Sequence, residues 1–341
     1  MTKPSLMEQE ARESADCVRR QIFQVERVVG EIADEIMAQD LDLIVTCARG
    51  SSDHAALFGK YLLEPLLGLP VTSASPSLVS VYDADQRLSR ALTVSISQSG
   101  KSPDIVAYAE MARAAGSRTL AIVNTPGSPL TESADWTVPL GAGTEKSVAA
   151  TKSYICTLAA LVQLASALAP TRDLDVVLKE LPEVLERATS LDADAMVRFL
   201  SEEKSCFIVG RGLGFAIAQE AALKLKETCG IHAEAISAAE VQHGPMALLA
   251  QGVPVLFLVH GDRTEEEQVA LAHRFANEGA KVFLAAPDRF DPDLSIVEGQ
   301  SHISSAIGMI QTFYLMAAQL AAVRGNNPDQ PPLLKKVTET H

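Results

Sequence analysis

The sequence predicts an α/β protein with two doubly wound parallel-sheet domains in tandem. Short, continuous apolar runs alternate with amphipathic helical patterns, which is typical of parallel strands that are covered by helices on both faces. The same succession of elements occurs twice, at an offset of about 162 residues. The length of 341 residues also suits two domains of ordinary size.

Each half of the repeat begins with an apolar strand, an Arg-Gly turn and a helix. The first half has this succession at residues 43–64, and the second half has it at residues 206–227. A second apolar strand follows in each half, at 91–97 and at 253–259, and a short turn then leads into the next helix. Because the order of elements is the same, we expect both domains to have the same topology.

Changes in composition divide the chain into five segments. An uncharged stretch is followed by a charged helical pattern that contains Pro182, which predicts a connector between the domains. Residues 1–35 show a charged amphipathic pattern at the helical period. The predicted segments are an N-terminal helical segment at 1–35, a first domain at 36–170, the connector at 171–194, a second domain at 195–325 and a C-terminal tail at 326–341.

The charge balance excludes several classes of partner. The chain has 43 Asp and Glu against 29 Lys and Arg, which is a formal net charge of −14. Such a molecule repels phosphate backbones and anionic lipid headgroups, so we expect neither nucleic acid nor a membrane as a partner. Two long uncharged stretches, at 153–170 and 303–323, are rich in Ala, Ser, Thr and Gln, which predicts buried helices instead of membrane spans.

The cysteines and the N-terminus indicate a cytoplasmic protein. The five cysteines are widely spaced and form no CxxC pair, which favours reduced thiols over a disulfide framework or a zinc site. The first ten residues are polar and acidic where a secretory signal has an apolar core. No GxGxxG or GxxxxGK[ST] pattern occurs, and the seven histidines are scattered. The sequence therefore predicts no cofactor and no metal.

Serine-rich turns follow the first two strands of the first domain. Ligands bind beyond the carboxyl ends of parallel strands, where helix N-termini present N–H groups. Hydroxyl and amide groups at such a place suit a dianion, so we expect a phosphate monoester there. The alternative is that the serines only cap the helices. The candidate binding residues are Gly50, Ser51, Ser52, Ser97, Gln98, Ser99 and Ser102.

The corresponding turn of the second domain has diverged. Residues 259–264 lack the serine cluster and include an acid. We therefore expect one phosphate site per chain, in the first domain. The diverged turn could instead bind an effector.

Lys224, Glu227 and His243 form a second group of candidate residues. Lys224 and Glu227 lie at i and i+3 of a helix that is predicted to end near Gly230, so they share a face. His243 precedes Gly-Pro, which predicts a loop or a helix boundary. A carboxylate and an imidazole suit an enolisation, in which one group moves a proton between carbons and the other opens a sugar ring. The alternatives are an ordinary surface ion pair and a capping or core histidine.

These motifs resemble those of the sugar isomerase (SIS) domain family. The resemblance extends along nearly the whole chain to the isomerase half of glucosamine-6-phosphate synthase and, more closely, to the glucosamine-6-phosphate deaminases that consist of two SIS domains. It implies two flavodoxin-like SIS domains in tandem. The matching segments are 95–100, 148–152, 220–227, 231–235, 243–245, 329–331 and 335–338.

The resemblance implies a role for each group of candidate residues. The serine-rich turns bind the sugar phosphate. Glu227 moves the proton between C1 and C2, His243 opens the sugar ring, and Lys224 matches a lysine of the same site.

The C-terminal tail, which closes the active site in the family, carries a further lysine. Aligned from residues 329–331 this lysine is Lys336, which we prefer, and aligned from residues 337–338 it is Lys335. The match departs from the synthase pattern at Ala150, where the synthase has a serine that contacts the substrate.

The resemblance also implies an activity and an assembly. The activity is deaminating isomerisation of glucosamine 6-phosphate, a phosphorylated amino sugar, to fructose 6-phosphate and ammonia. The synthase obtains ammonia from an N-terminal glutaminase domain with a leading cysteine, whereas this sequence opens with Met1-Thr2, so we expect ammonia release. Family members complete each site with a partner's histidine. We therefore expect a homodimer with shared active sites, whose interface the uncharged helices at 153–170 and 303–323 could supply.

Four other functions are compatible with the same motifs. Three are enzymatic: galactosamine-6-phosphate deaminase, ketose–aldose isomerase and fructosamine-6-phosphate deglycase. The fourth is a non-catalytic sugar-phosphate sensor. Retention of Glu227, His243 and the tail lysine together favours an enzyme over a sensor.

Overall fold

A computed structural model describes residues 4–336 of the chain. Within them the chain forms two compact units. The first unit contains residues 16–145, 152–178 and 335–336, and the second unit contains residues 4–15, 146–151 and 179–334. The five segments that the composition predicts stay a prediction.

Helices and strands alternate through most of the described chain, as the sequence predicts. The strands are β1 Leu43–Cys47, β2 Val71–Ser73, β3 Ala91–Ser97, β4 Arg118–Val123, β5 Trp136–Pro139, β6 Ser205–Gly210, β7 His232–Ser237, β8 Val255–Leu258, β9 Val282–Ala286 and β10 Leu294–Ser295. The α-helices are α1 Leu6–Arg12, α2 Ser14–Met37, α3 Ser51–Leu67, α4 Ser77–Ser80, α5 Pro103–Ala114, α6 Pro129–Glu132, α7 Lys152–Leu168, α8 Arg172–Thr189, α9 Asp194–Leu200, α10 Leu213–Lys224, α11 Glu265–Asn277 and α12 His302–Val323.

Each unit contains a five-stranded sheet whose strands pair in parallel. The order in the first sheet is β2-β1-β3-β4-β5, and the second sheet, taken from its far edge, is β7-β6-β8-β9-β10. Both are the flavodoxin-like arrangement, in which the first strand lies between the second and the third. The structure therefore confirms the predicted pair of doubly wound α/β sheets and the equivalence of the two halves.

The strands that lead into the candidate turns lie at the centre of each sheet. All seven residues of β3 are buried, because helices cover a parallel sheet on both faces. Strand β3 pairs with β1, with Ser95 opposite Cys47. Strand β8 pairs with β6 in the same way, with Phe257 opposite Val209. In each unit, two turns therefore start side by side at one edge of the sheet.

The N-terminal segment differs from the single helical pattern predicted for residues 1–35. It forms two helices, α1 and α2, which Glu13 separates. Ser5 caps α1 through its hydroxyl, and the N–H groups of Leu6 and Met7 each donate to the Asp329 carboxylate at 2.8 Å. The first helix is thus held by a residue more than 300 positions away, which helical periodicity does not encode.

Helices α7 and α12 are buried, as their uncharged composition predicts. Helix α12 is long and apolar enough to cross a membrane, but 78% of its most apolar window is buried inside the structure, as in the core helix of a globular protein. Most side chains of α7 are buried too. Their surfaces are therefore already covered within the chain, and the expectation that they supply a dimer interface is wrong. The homodimer itself stays a prediction.

The cysteines agree with the expectation of reduced thiols. All five are buried, and none of them forms a disulfide. Burial raises the pKa of Cys206 to about 12 and that of Cys229 to about 11, so both thiols stay protonated at neutral pH.

Candidate active site

The serine-rich turn after β3 is shaped by its own hydroxyls. The Ser97 hydroxyl accepts a hydrogen bond from the Gly100 N–H at 3.1 Å, and the Ser99 hydroxyl accepts one from the Lys101 N–H at 3.3 Å. Ser102 is the N-cap of α5, yet its hydroxyl makes no capping hydrogen bond within the described chain. Capping therefore does not account for Ser102, and the α5 N-terminus lies beside a half-buried hydroxyl.

Gly100 is required at the centre of this turn for two reasons. Its φ is +63°, in the left-handed region. A Cβ atom at this position would also lie 2.1 Å from the Oγ of Ser128. The Gly100 carbonyl accepts from the Leu130 N–H at 3.1 Å, so the turn packs closely against the start of α6. Nothing in the local pattern around Ser128 distinguishes it from an ordinary turn serine, so the sequence alone does not identify it.

The turn after β1 lies at the same edge of the first sheet. Gly50 is the N-cap of α3, with φ of 57° and ψ of −132°, and the half-buried Ser51 and Ser52 begin the helix. The sheet thus brings together the two turns that the sequence predicts to bind phosphate. Their binding role itself stays a prediction.

An ion pair joins the two turns. The Nε and Nη2 atoms of Arg49 lie 3.0 and 2.9 Å from the Oδ2 of Asp104, in the first turn of α5. The Asp104 carboxylate is 1% exposed, and its second oxygen accepts from the Ile105 N–H. The Arg-Gly turn was visible in the repeat, but the partner of the arginine was not, since it lies 55 residues further along the chain.

Lys224 and Glu227 are in direct contact, and a second acid joins them. The Lys224 ammonium is fully buried, forms an ion pair with Glu227 and lies 3.4 Å from the Oε1 of Glu220. Glu220 is fully buried and also accepts from the Tyr314 hydroxyl at 3.1 Å. The alternative of an ordinary surface pair is therefore wrong. Glu220 lies one turn before Lys224, which is the signal that could have found it.

The helix that carries this group ends where the sequence predicts, but in a different form. After α10, residues Leu225–Cys229 form one π-helical turn, and Gly230 closes it with φ of +65° and an N–H bond to the Leu225 carbonyl. Glu227 lies within this turn, and its side chain is 20% exposed. Single π-helical turns are frequent at functional sites. Of the three charged groups, only Glu227 combines the buried ion pair with access to solvent.

His243 lies on an exposed boundary, as its Gly-Pro neighbour predicts. It ends the 3₁₀ helix Glu240–His243, and Pro245 begins another one after Gly244, which has φ of +139°. His243 is exposed. A core histidine is thereby excluded.

The tail lysine has a buried partner. The Lys336 Nζ lies 2.7 Å from the Oε2 of Glu145, which is fully buried and accepts from both the N–H and the hydroxyl of Ser153. Burial opposes ionisation of Glu145, but the Lys336 ammonium and the Ser153 hydrogen bonds outweigh it and hold the pKa of Glu145 below its usual range. Lys335 is exposed, and the alternative alignment rests on residues 337–338, which lie outside the described residues. Glu145 was not among the site residues predicted from the sequence.

Residues 4–336 contain no group of three His, Cys, Asp or Glu side chains placed to hold a metal ion. The polar groups of the serine-rich turns and of the group around Lys224 are hydroxyls, ammonium groups and carboxylates. They suit a phosphorylated ligand and proton transfer.

A model of the SIS domain family matches residues 40–167 and 199–289, which include most strands of both sheets. The chain belongs to the SIS domain family. It is 32% identical to glutamine–fructose-6-phosphate aminotransferase (isomerizing) of Thermococcus kodakarensis over 98% of this chain and 58% of the relative. The enzyme of that name from Methanothermobacter thermautotrophicus is 33% identical over 97% of this chain and 56% of the relative. The chain thus spans a little over half of the length of these curated relatives.

Solved structures agree with this assignment. A candidate phosphosugar isomerase from Silicibacter pomeroyi has a TM-score of 0.90 and 38% identity, covering 95% of this SIS protein and 100% of that chain. The C-terminal domain of glucosamine-fructose-6-phosphate aminotransferase from Francisella tularensis has a TM-score of 0.85 and 26% identity, covering 96% and 98%. Glucosamine-6-phosphate deaminase of Thermotoga maritima shares the fold, with a TM-score of 0.78 and 20% identity over 98% and 100%. The SIS protein is thus homologous to the isomerase half of the aminotransferases.

Proposed function

We propose that this SIS protein is a phosphosugar isomerase that acts on an amino sugar phosphate. The observation that carries the proposal is the ion pair between the fully buried Lys224 and Glu227, whose side chain is 20% exposed. A carboxylate held by a desolvated cation, at a place that a ligand can reach, suits proton transfer next to a carbonyl group. The match to isomerase domains over nearly the whole chain supports it.

The finer proposal is deaminating isomerisation of glucosamine 6-phosphate. His243 assists opening of the sugar ring, which exposes the C1 aldehyde. Glu227 removes the C2 proton and returns it to C1. The C1 oxygen gains a proton and the C2 amine loses one, so that the C1 carbonyl becomes a hydroxyl and the C2 amine becomes an imine. Water adds to C2 and ammonia leaves, giving fructose 6-phosphate. The serine-rich turns are the proposed phosphate-binding residues, because their hydroxyls and the α5 N-terminus favour a dianion.

The Glu145–Lys336 pair supports a role for the tail in this reaction. A lysine whose ammonium group is held by a buried carboxylate has a defined position, and its charge can stabilise the negative charge that develops on the sugar oxygens during enolisation.

The reverse direction is a second candidate. The curated relatives are named for amination of fructose 6-phosphate, and the same acid–base group serves both directions because each step is reversible. With ammonia supplied, the protein would then form glucosamine 6-phosphate. Assays in both directions separate the two candidates.

The decisive experiment is Glu227→Gln, with ammonia and fructose 6-phosphate measured from glucosamine 6-phosphate. We expect a loss of at least about 100-fold in kcat, since a general base contributes roughly 10²–10⁴-fold. The matched control is Lys226→Gln on the same turn, which is exposed and should keep full activity. Galactosamine 6-phosphate, fructosamine 6-phosphates and fructose 6-phosphate with ammonia are run in parallel. A fully active Glu227→Gln protein would overturn the proposal.

We also propose that the active form is a cytoplasmic homodimer in which His243 acts in the partner's site. The exposure of His243 supports this assignment. Glu227→Gln and His243→Ala should each be inactive alone. Mixing the two after subunit exchange should restore part of the activity, because one site of each mixed dimer is intact. No recovery, or a monomeric mass by light scattering, would contradict the shared site.

A further inference from the structure

We call the turns after β1 and β3, together with the N-caps of α3 and α5, the backbone frame of the candidate phosphate site. The second unit repeats this frame after β6 and β8. Residues 259–264 correspond to 97–102 in the repeat, and Thr264 is the N-cap of α11 as Ser102 is of α5. Gly212 is the N-cap of α10, with φ of 57° and ψ of −129°, almost the values found at Gly50.

The corresponding ion pair is also present. Arg211, at the turn after β6, lies 3.1 Å from Glu267 in the first turn of α11. It resembles the pair of Arg49 with Asp104 in the first unit, although Glu267 lies one position further along its helix than Asp104 does. The two turns of each sheet are therefore joined in the same way.

The repeats differ at and beside Gly100. The left-handed residue is Gly100 in the first turn and Gly261, one position earlier in the repeat, in the second turn. The residue that aligns with Gly100 is Asp262. The Asp262 Oδ1 accepts from the Thr264 N–H at 2.9 Å and from the Thr264 hydroxyl at 2.6 Å. Its Oδ2 lies 3.5 Å from where a Cβ of Gly212 would stand. At Gly50, by contrast, a Cβ would meet no atom of residues 4–336 within 4 Å. The Asp262 carboxylate thus fills, between the two turns, a space that has no side chain in the first unit.

A buried histidine faces this carboxylate. His260 is 1% exposed, and its Nε2 lies 3.4 Å from the Asp262 Oδ2. Its ring nitrogens have no other hydrogen-bond partner among the described residues. Burial opposes ionisation of Asp262, but His260 and the Thr264 hydrogen bonds outweigh it and lower the pKa of Asp262. The side chain is therefore an anion at neutral pH.

We propose that the Asp262 carboxylate is a built-in anion that occupies the second unit's counterpart of the phosphate site. A helix N–H, a hydroxyl and an imidazole surround it, which are groups that also bind a phosphate monoester. The second unit is therefore closed to phosphate monoesters until this side chain is removed, so the diverged turn is not an effector site. The comparison between the units rests on the proposed phosphate site of the first unit.

The test replaces Asp262 and counts bound anions. Inorganic phosphate is titrated into the full chain at constant ionic strength, and the number of sites is measured by calorimetry. We expect one phosphate per chain for the wild type and two for Asp262→Ser, which introduces a hydroxyl as in the first unit. The control Glu266→Ser removes the same charge from an exposed position of α11 and should keep one site.

The outcomes separate this proposal from the proposed function. If Asp262→Ser folds and gains no phosphate over the wild type, or if the wild type already binds two, the built-in anion is refuted. If the wild type binds none and Asp262→Ser binds one, the built-in anion is supported and the phosphate site of the first unit is refuted.

A second variant covers the case in which Asp262→Ser does not fold. Asp262→Asn keeps the shape and the acceptor for Thr264 but removes the charge. We expect it to fold, to bind no additional phosphate, and to melt about 2–4 °C below the wild type, the shift that corresponds to losing about 1 kcal/mol in a domain of this size. An unchanged Tm would show that the charge is not held by the surrounding groups and would overturn the proposal.

Discussion

The two repeats of this SIS protein share a backbone frame and differ in the side chains placed on it. The N-cap glycines have the same φ of 57°, and an arginine joins the two turns of each sheet to an acid on the following helix. The first repeat places serines and Gly100 in that frame, whereas the second places Asp262 and His260 there. We therefore propose that the same frame accepts an external anion in one repeat and is filled by the Asp262 side chain in the other.

The repeats also differ at the C-terminal ends of α3 and α10, where the candidate catalytic residue lies in the second repeat. Glu64 on α3 is the counterpart of Glu227 in the repeat. Its side chain is 42% exposed, lies 3.1 Å from the Lys60 Nζ and accepts from the Val71 N–H, which holds β2 against the helix. The Val71 N–H and Lys60 keep the pKa of Glu64 below its usual range. Glu227 instead faces the buried Lys224. Phosphate binding is thus proposed for one repeat and proton transfer for the other.

Gly100→Ala gives the largest expected effect, because the open turn depends on this glycine. The variant would force a Cβ atom to within 2.1 Å of the Ser128 Oγ and a non-glycine residue to φ of +63°. We expect the free energy of unfolding to fall by roughly 2–5 kcal/mol, the sum of left-handed strain and overpacking. Urea unfolding measures it.

The matched variant Gly127→Ala isolates the steric part of this effect. Gly127 has φ of +65° but no described atom within 4 Å of its Cβ position. It should lose only the roughly 1–2 kcal/mol of backbone strain. Equal losses for the two variants would show that close packing against Ser128 does not shape the turn.

The variant Lys336→Met tests the ion pair between Lys336 and the buried Glu145. At pH 7 the variant leaves the Glu145 carboxylate without its ammonium partner, which should cost about 1–3 kcal/mol of unfolding free energy. The pKa of Glu145 is lower in the folded protein than in the unfolded chain, so its ionisation stabilises the fold above the unfolded pKa. This stability is lost as the pH falls through the folded pKa. The difference between variant and wild type should therefore shrink on acidification. Lys335→Met, at an exposed position, should show neither effect. If it does, Lys335 is the tail lysine.

Arg49→Ala and Arg211→Ala compare the two repeats directly. Removal of Arg49 leaves the Asp104 carboxylate, which is 1% exposed, without its cationic partner. This should lower the free energy of unfolding by about 1–3 kcal/mol. Arg211 pairs with a side chain that is 58% exposed, so its removal should cost at most about 1 kcal/mol. Thermal unfolding of both proteins at equal ionic strength gives the comparison. A larger loss for Arg211→Ala would reverse the order in which we rank the two ion pairs.

Glu64→Gln should have the smallest effect. Glutamine keeps an acceptor for the Val71 N–H, and the Lys60 and Glu64 side chains are 41% and 42% exposed, so their ion pair is weak. We expect unchanged turnover, in contrast to Glu227→Gln. A loss of activity in Glu64→Gln would break the division of roles between the repeats.

Much of the candidate site could be predicted from the sequence where its signal is local. The serine-rich turns follow apolar strands, and Lys224 and Glu227 are three residues apart before the glycine that ends their helix. Glu145, Asp104 and Tyr314 could not be found in this way, because their partners lie 191, 55 and 94 residues away. No periodicity or spacing records such a contact.

The sequence by itself determined the tandem doubly wound architecture, since strand and helix periods and the internal repeat are properties of neighbouring residues. It also determined which turn is rich in hydroxyls. Only the tertiary structure decided which charges are buried, that Lys224 lies between two acids, and that Asp262 points into the frame of its own repeat. Burial and charge pairing are set by groups that fold together from distant parts of the chain, and these interactions decide what a given side chain can do.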